Sequence, residues 1–210
     1  MDVLFNALIT LVVVIDPVGV SATYSALMIH SAPPERKRVA SKGVWIAAGI
    51  LYFFALTGNG FLAALGISIP AFRIAGGILL FFLAIEMILV RQSGIRTATE
   101  REKAEAEERK DITVFPLAIP LIAGPGAITS VVLLMAGAWR EPWHAVGTLV
   151  VIGLALLITF ASLRLSDRVA RILGLIGTQV VGRVLGVLLA ALAVQFVLDG
   201  IRGAGWLPHP

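Results

Sequence analysis

The chain has 210 residues, 58% of them hydrophobic and only 14% charged, with a formal net charge of +4 and a pI near 10. A soluble domain is typically about a quarter charged, so this composition excludes an ordinary soluble domain, and the lack of cysteine excludes disulfides, thiol chemistry and Cys-ligated metal. The positive balance is better explained by basic flanks of membrane spans than by nucleic-acid binding.

Six apolar stretches reach the roughly 18–20 residues that cross a hydrocarbon core of about 30 Å. The first covers residues 3–29 and begins without the basic region of a secretory signal, so it reads as a retained span. Asp16-Pro17-Val18-Gly19 interrupts it. Residues 43–65 form the second span and 70–90 the third, with Pro70 in a first turn, where a missing N–H costs little. The following segment, TEREKAEAEERK at its core, interleaves acids and bases among helix formers and reads as a solvated helix or tether. Residues 112–138 form the fourth span, interrupted at Gly124-Pro125-Gly126, then 145–163 the fifth and 178–201 the sixth. The expected organisation is a three-span unit over 1–90, a charged cytoplasmic linker over 91–111 and a second three-span unit over 112–210.

Charge alternates between the connections. Thirteen Lys and Arg residues follow spans 1, 3 and 5, against Arg140 and Arg202 on the other side. By the positive-inside rule both termini lie outside the cytoplasm of a multi-pass inner-membrane protein.

The two halves resemble each other. Arg73-Ile-Ala-Gly76 in span 3 aligns with Arg183-Val-Leu-Gly186 in span 6, and the break at Asp16-Pro17 falls opposite Gly124-Pro125. Each half has an odd number of spans, so the second enters the membrane from the opposite side, as in the inverted repeats of secondary transporters. The expected fold is all-α and membrane-spanning. Its six transmembrane helices form two inverted three-helix repeats, with helices 1 and 4 discontinuous at their Pro/Gly motifs.

Proline removes a backbone donor and clashes with the carbonyl four residues back. In hydrocarbon such breaks persist only where they are buried in protein or line a wet cavity. A half-helix that restarts at mid-membrane presents unpaired N–H groups, which suit a substrate carboxylate. Around the first break the candidate substrate-binding residues are Asp16, Pro17, Gly19, Val20, Ser21 and Thr23. Around the second they are Gly124, Pro125, Gly126, Ala127, Thr129 and Ser130. A kink with glycines for close helix packing is the plainer alternative. An acid at this depth costs roughly 2.5–3.5 kcal/mol on insertion scales. Three roles would justify Asp16 there, and they are compatible. It can cap the half-helix, meet a substrate ammonium, or carry a coupling proton or cation.

Four more charges lie within spans. Matching depths suggest Glu86 with Arg183 and Arg73 with Asp199, as structural ion pairs or gate latches, against simple snorkelling to the headgroups. Asn6, Thr10, Asn59 and Gln195 read as interhelical hydrogen-bonding groups. His30, His144 and His209 are scattered and make no metal cluster, so no metal or cofactor is expected. The chain has no HExxH, GxSxG or Walker motif, which argues against an enzyme or an ATP-driven pump.

Three stretches carry a family resemblance: Asp16-Pro-Val-Gly19, Gly66-Ile-Ser-Ile-Pro-Ala-Phe-Arg-Ile-Ala-Gly-Gly77, and Phe115-Pro-Leu-Ala-Ile-Pro-Leu-Ile-Ala-Gly-Pro-Gly-Ala-Ile-Thr129. On these the chain resembles the MarC family of six-span bacterial and archaeal membrane proteins over nearly its whole length. Ala22 and Thr23 stand where typical members have a second proline. The family is grouped with the LysE-type exporters, and some members look like transporters of small neutral amino acids. The resemblance implies transport of glycine- or alanine-like substrates, coupled to H+ or an ion such as Na+. The alternatives are an uncoupled small-solute channel and a non-transporting membrane scaffold or regulator. A homo-oligomer is compatible with the small-residue faces, and the lipid bilayer is the surrounding partner.

Overall fold

The computed structural model describes residues 2–89, 112–139 and 141–205; the linker over 91–111, Arg140 and His209 lie outside them. Every regular element among the described residues is helical. In chain order these are α1 (Asp2–Ile15), α2 (Pro17–Leu27), α3 (Pro33–Ala64), α4 (Ile69–Leu89), α5 (Thr113–Ile122), α6 (Pro125–Ala138), α7 (Pro142–Arg164) and α8 (Ser166–Gly203). Five stretches are long and apolar enough to cross a membrane, and α5 with α6, bent by 55°, makes a sixth if counted as one span.

The helix boundaries follow local chemistry. Pro33, Pro125 and Pro142 start α3, α6 and α7, where a fixed φ is an advantage and the lost N–H is not missed. α3 stops at Gly66, whose φ of 69° lets the Ile67 N–H donate back to the Leu62 carbonyl at 2.8 Å. This is the glycine-dependent C-terminal wrap expected of a helix end. Ser68 Oγ then accepts from the Ala71 N–H at 3.3 Å and restarts the chain as α4.

Two expected loops are helical instead. The basic run Arg36, Lys37, Arg38 and Lys42 belongs to α3, whose 32 residues span about 48 Å, well beyond a core of roughly 30 Å. Arg168 and Arg171 lie on the first turns of α8. Gly174, at φ 61° and ψ −173°, breaks that helix before the apolar stretch Ile176–Gly203 begins. Lys and Arg are good helix formers, so a start signal upstream of them extends the helix past the apolar boundary.

Small residues set the closest packing. α4 and α8 form the largest interhelical interface and run antiparallel: a Cβ on Gly77 would sit 2.7 Å from the Ala193 carbonyl oxygen and 2.7 Å from Val197 Cγ2. Gly186 lies equally close to Ala84, Met87 and Ile88, and Gly200 to Pro70 and Ile74. α3 runs parallel to α5 and α6, with Gly43 against Leu117 and Gly58 against Val132. α7 runs parallel to α1 and α2: Gly147 meets Leu4, and Ser162 Oγ donates to the Pro17 carbonyl at 2.9 Å. Without a hydrophobic driving force between helices in lipid, such close backbone approach is what van der Waals packing rewards. Large side chains on the outside, among them Phe53, Leu157 and Val184, are more than half exposed, as a lipid-facing surface requires.

Candidate functional site

The first interruption is a single residue. Asp16 adopts φ 53° and ψ 70°, the one positive φ outside glycine among the described residues. Its N–H still donates to the Val12 carbonyl and its carbonyl accepts from Val20, both at 2.9 Å. Its Oδ1 accepts from the Gly19 amide at 3.0 Å, so the buried carboxylate caps α2. Gly19 is required by that cap, since a Cβ there would overlap Asp16 Oδ2. Ser21 and Thr23 turn their hydroxyls back to the Val18 and Gly19 carbonyls at 2.8 and 3.0 Å. Ser21 and Val20 are buried, whereas Thr23 faces outward. Pro17 begins α2 and its carbonyl takes the Ser162 hydroxyl.

The second interruption is larger. Phe115 and Ile119 are extended inside α5, each immediately before a proline, which disfavours the helical region for the preceding residue. The Phe115–Pro116 and Ile119–Pro120 peptides are cis. Hydrogen bonds here span five residues, from Leu117 N–H to Ile112 and from Ala123 N–H to Ala118. Gly124 approaches the Pro120 carbonyl so closely that a Cβ would lie 2.5 Å from its oxygen. α6 then starts at Pro125 with no side-chain cap. Where α2 carries its own carboxylate, α6 carries none.

Tertiary packing brings the second break against the first helix. A Cβ on Gly126 would lie 3.3 Å from Val14 Cγ1 and 2.7 Å from Leu80 Cδ2. Val14 stands two residues before Asp16. With Leu83, Pro120, Gly124, Gly126 and Ala127 it lines a cavity of about 20 Å³ at the bend. That is room for about one water molecule and not for an amino acid.

Of the predicted binding residues, Gly124, Pro125, Gly126 and Ala127 line this cavity. Asp16, Pro17, Gly19, Val20, Ser21 and Thr23 do not line it and form the capped start of α2, and Thr129 and Ser130 lie further along α6. Thr129 packs its methyl against Gly76, where a Cβ would overlap it. Ser130 is fully buried and its Oγ has no hydrogen-bond partner. Sequence reading missed Leu83, Leu80 and Pro120. The signal for Pro120 was present in a span holding three prolines; nothing marked the leucines.

Neither predicted charge pair forms among the described residues. Asp199 instead accepts from Gln195 at 2.8 Å and lies 3.8 Å from Arg202, both on its own helix. Arg183 is exposed, and no ion pair joins it to Glu86 or Arg73 to Asp199. The predicted interhelical role of Gln195 is replaced by that same i,i+4 bond. No cluster of three or more His, Asp or Glu that would hold a metal occurs among the described residues.

Residues 1–205 match the family profile described as MarC family integral membrane protein. The chain is similar to a UPF0056 membrane protein of Pyrococcus abyssi, 37% identical over 90% of this chain and 89% of the relative. A UPF0056 membrane protein of Methanocaldococcus jannaschii is 37% identical over 91% and 92%. UPF0056 membrane protein YhcE of Escherichia coli is 34% identical over 96% and 93%. No solved structure matches the chain.

Proposed function

From the chain's membership of the MarC family of integral membrane proteins, we propose that it is a secondary transporter of small neutral amino acids, glycine- or alanine-like, coupled to H+ or another ion. Two inverted three-helix units alternate access to a site at the breaks, with both termini outside the cytoplasm.

The observation that carries this reading is the meeting of Val14 with Gly126. It puts the uncapped, bent start of α6 against the turn of α1 that precedes Asp16. A broken helix buried between two halves is the arrangement in which transporters place substrates. The N–H groups of a helix start favour a carboxylate. Small residues at 124, 126 and 127 leave space for a substrate with little side chain. The cavity is closed in this state, so binding requires α6 to separate from α1 and α4.

Packing supports the inverted repeat. Span 2 runs along span 4 as span 5 runs along span 1. With an offset of 109 residues, one short of the Arg73–Arg183 alignment, the contact of Gly77 with Ala193 and Val197 is mirrored by that of Gly186 with Ala84 and Ile88. Asp16 already caps α2, so the substrate carboxylate is assigned to α6 alone. Asp16, two residues beyond Val14, is left as the group that carries the coupling charge.

Proteoliposomes test the reading. Labelled glycine or alanine should exchange in counterflow, and Gly126→Val, which drives a branched side chain into Leu80 and Val14, should abolish it. Downhill flux without counterflow would mean an uncoupled channel. Absence of flux for any small amino acid would leave a scaffold.

A further inference from the structure

A second set of polar contacts lies at the basic end of the bundle, away from the α5–α6 bend. Arg36, in the first turn of α3, donates to Asp167 Oδ2 at 2.9 Å and lies 2.6 Å from Oδ1. It also reaches Ser166 Oγ at 3.3 Å. Its carbonyl accepts from the Tyr24 hydroxyl, and its guanidinium lies 5.9 Å from the Tyr24 ring centre. Arg36 is thus fully engaged.

Lys37 and Arg164 are not. Both line a cavity of about 90 Å³ between the start of α3, the end of α7 and the start of α8. Among the described residues neither has a carboxylate partner; Arg164 lies 5.0 Å from the Phe160 ring centre. Pro33 and Ser166 belong to the same wall, and they begin helices that have no side-chain cap. Asp167 lines the same cavity in the first turn of α8, but its carboxylate is held by Arg36, so Lys37 and Arg164 remain in excess and the start of α3 adds partial positive charge.

One turn along α3 the surroundings become apolar. A groove of about 350 Å³ runs between α3 and α7, walled by Val44, Trp45, Ala48 and Tyr52 on one side and Leu157 and Phe160 on the other. From Ser41 to Tyr52 it extends roughly 16 Å along α3, about the depth of one leaflet. Trp45 is 76% exposed at its mouth, as an aromatic at the membrane–water boundary would be. The Tyr52 hydroxyl, donating to the Leu149 carbonyl at 2.9 Å, ties the helices together at its deep end.

We propose that cavity and groove together bind one anionic phospholipid. The phosphate sits among Lys37, Arg164 and the two helix starts. An acyl chain lies past Phe160 along Trp45, Ala48 and Tyr52. A soluble anion would use only the cavity and a second copy of the chain only the groove; a phospholipid matches the charge at one end and the apolar length at the other. Basic recesses between transmembrane helices select anionic headgroups by this charge complementarity. The bound lipid would bridge α3 and α7, which belong to different halves of the chain.

Native mass spectrometry of the full chain in mild detergent tests this, with phosphatidylglycerol and phosphatidylcholine of matched chains as probes. The wild type should retain one phosphatidylglycerol at least about tenfold better than phosphatidylcholine. Lys37→Gln with Arg164→Gln should remove that preference while leaving phosphatidylcholine binding unchanged. Ala48→Phe should displace lipids of both kinds, and Leu157→Trp asks the same question from the opposite wall if the first variant does not fold. Unchanged phosphatidylglycerol preference in the double variant overturns the proposal. So does inorganic phosphate displacing the lipid while Ala48→Phe leaves its retention intact, which would mark a free-anion site. A lipid-free dimer abolished by Ala48→Phe would make the groove a self-association surface and overturns it equally.

Discussion

Replacing Asp16 separates three contributions that converge on one residue. Its backbone, at φ 53°, lies where a side chain with a Cβ costs roughly 1–2 kcal/mol, although Asp and Asn tolerate it. Its side chain caps α2 through Gly19 at 3.0 Å, and loss of such a cap to alanine costs about 0.5–2 kcal/mol. Its charge faces the positive end of α2, worth about 0.3–1 kcal/mol. Asp16→Ala loses all three and should destabilise the protein by about 2–5 kcal/mol. Asp16→Asn keeps the cap and the backbone preference and should lose no more than about 1 kcal/mol. Asp16→Gly loses the cap but relieves the backbone, and should fall between them. Reversible unfolding in mixed micelles, titrated with denaturing detergent, gives the order Asp, Asn, Gly, Ala. Alanine as stable as asparagine would refute the local account, and glycine below alanine would refute the backbone contribution. The same series reads function. Asp16→Asn should exchange substrate in counterflow yet fail to accumulate it against a gradient, and unchanged accumulation would remove Asp16 from the coupling step.

Three further outcomes follow from packing. Gly76→Ala should destabilise by about 1–3 kcal/mol, because its methyl would overlap that of Thr129; adding Thr129→Ser, which deletes the clashing methyl, should recover most of the loss in the same unfolding assay. Ser130→Ala should be neutral or slightly stabilising in substrate-free protein, since the buried hydroxyl has no partner to lose, while a fall in counterflow would mark Ser130 as part of the transport path. A double-mutant cycle on Arg36→Ala and Asp167→Ala should give a coupling of no more than about 1 kcal/mol, because the Asp167 side chain is 60% exposed and screened; a larger coupling would mean the pair is shielded from water.

Much of the membrane architecture was legible because it depends on local quantities. Hydrophobic run length marks spans whatever they pack against, and proline sets the same restraint in any context. The breaks at Asp16 and at Gly124 were therefore visible as sequence features, and so was the capping capacity of an acid before proline. The outer limits of α3 and α8 were not, because hydropathy reports where lipid ends and says nothing of where hydrogen bonding stops. Arg36 and Asp167 are 131 residues apart on stretches that read as loops, and only the extended helices bring them together.

The two charge pairs, not made in this structure, show the limit most clearly. Depth along the membrane normal follows from counting residues, and it matched Arg73 to Asp199 and Glu86 to Arg183. Direction around each helix axis does not follow from counting. It was set when Gly77, Gly186 and Gly200 pressed α4 and α8 together on their small faces, a contact that leaves Arg183 exposed and Asp199 to its own helix. The sequence by itself determined that this is a polytopic helical membrane protein and marked prolines inside two of its spans, because run length and backbone sterics are properties of single segments. Tertiary structure alone decided that the uncapped break meets Val14 and that cations gather above an apolar groove. Each of those requires two helix faces to choose one another, and close packing among small residues makes that choice.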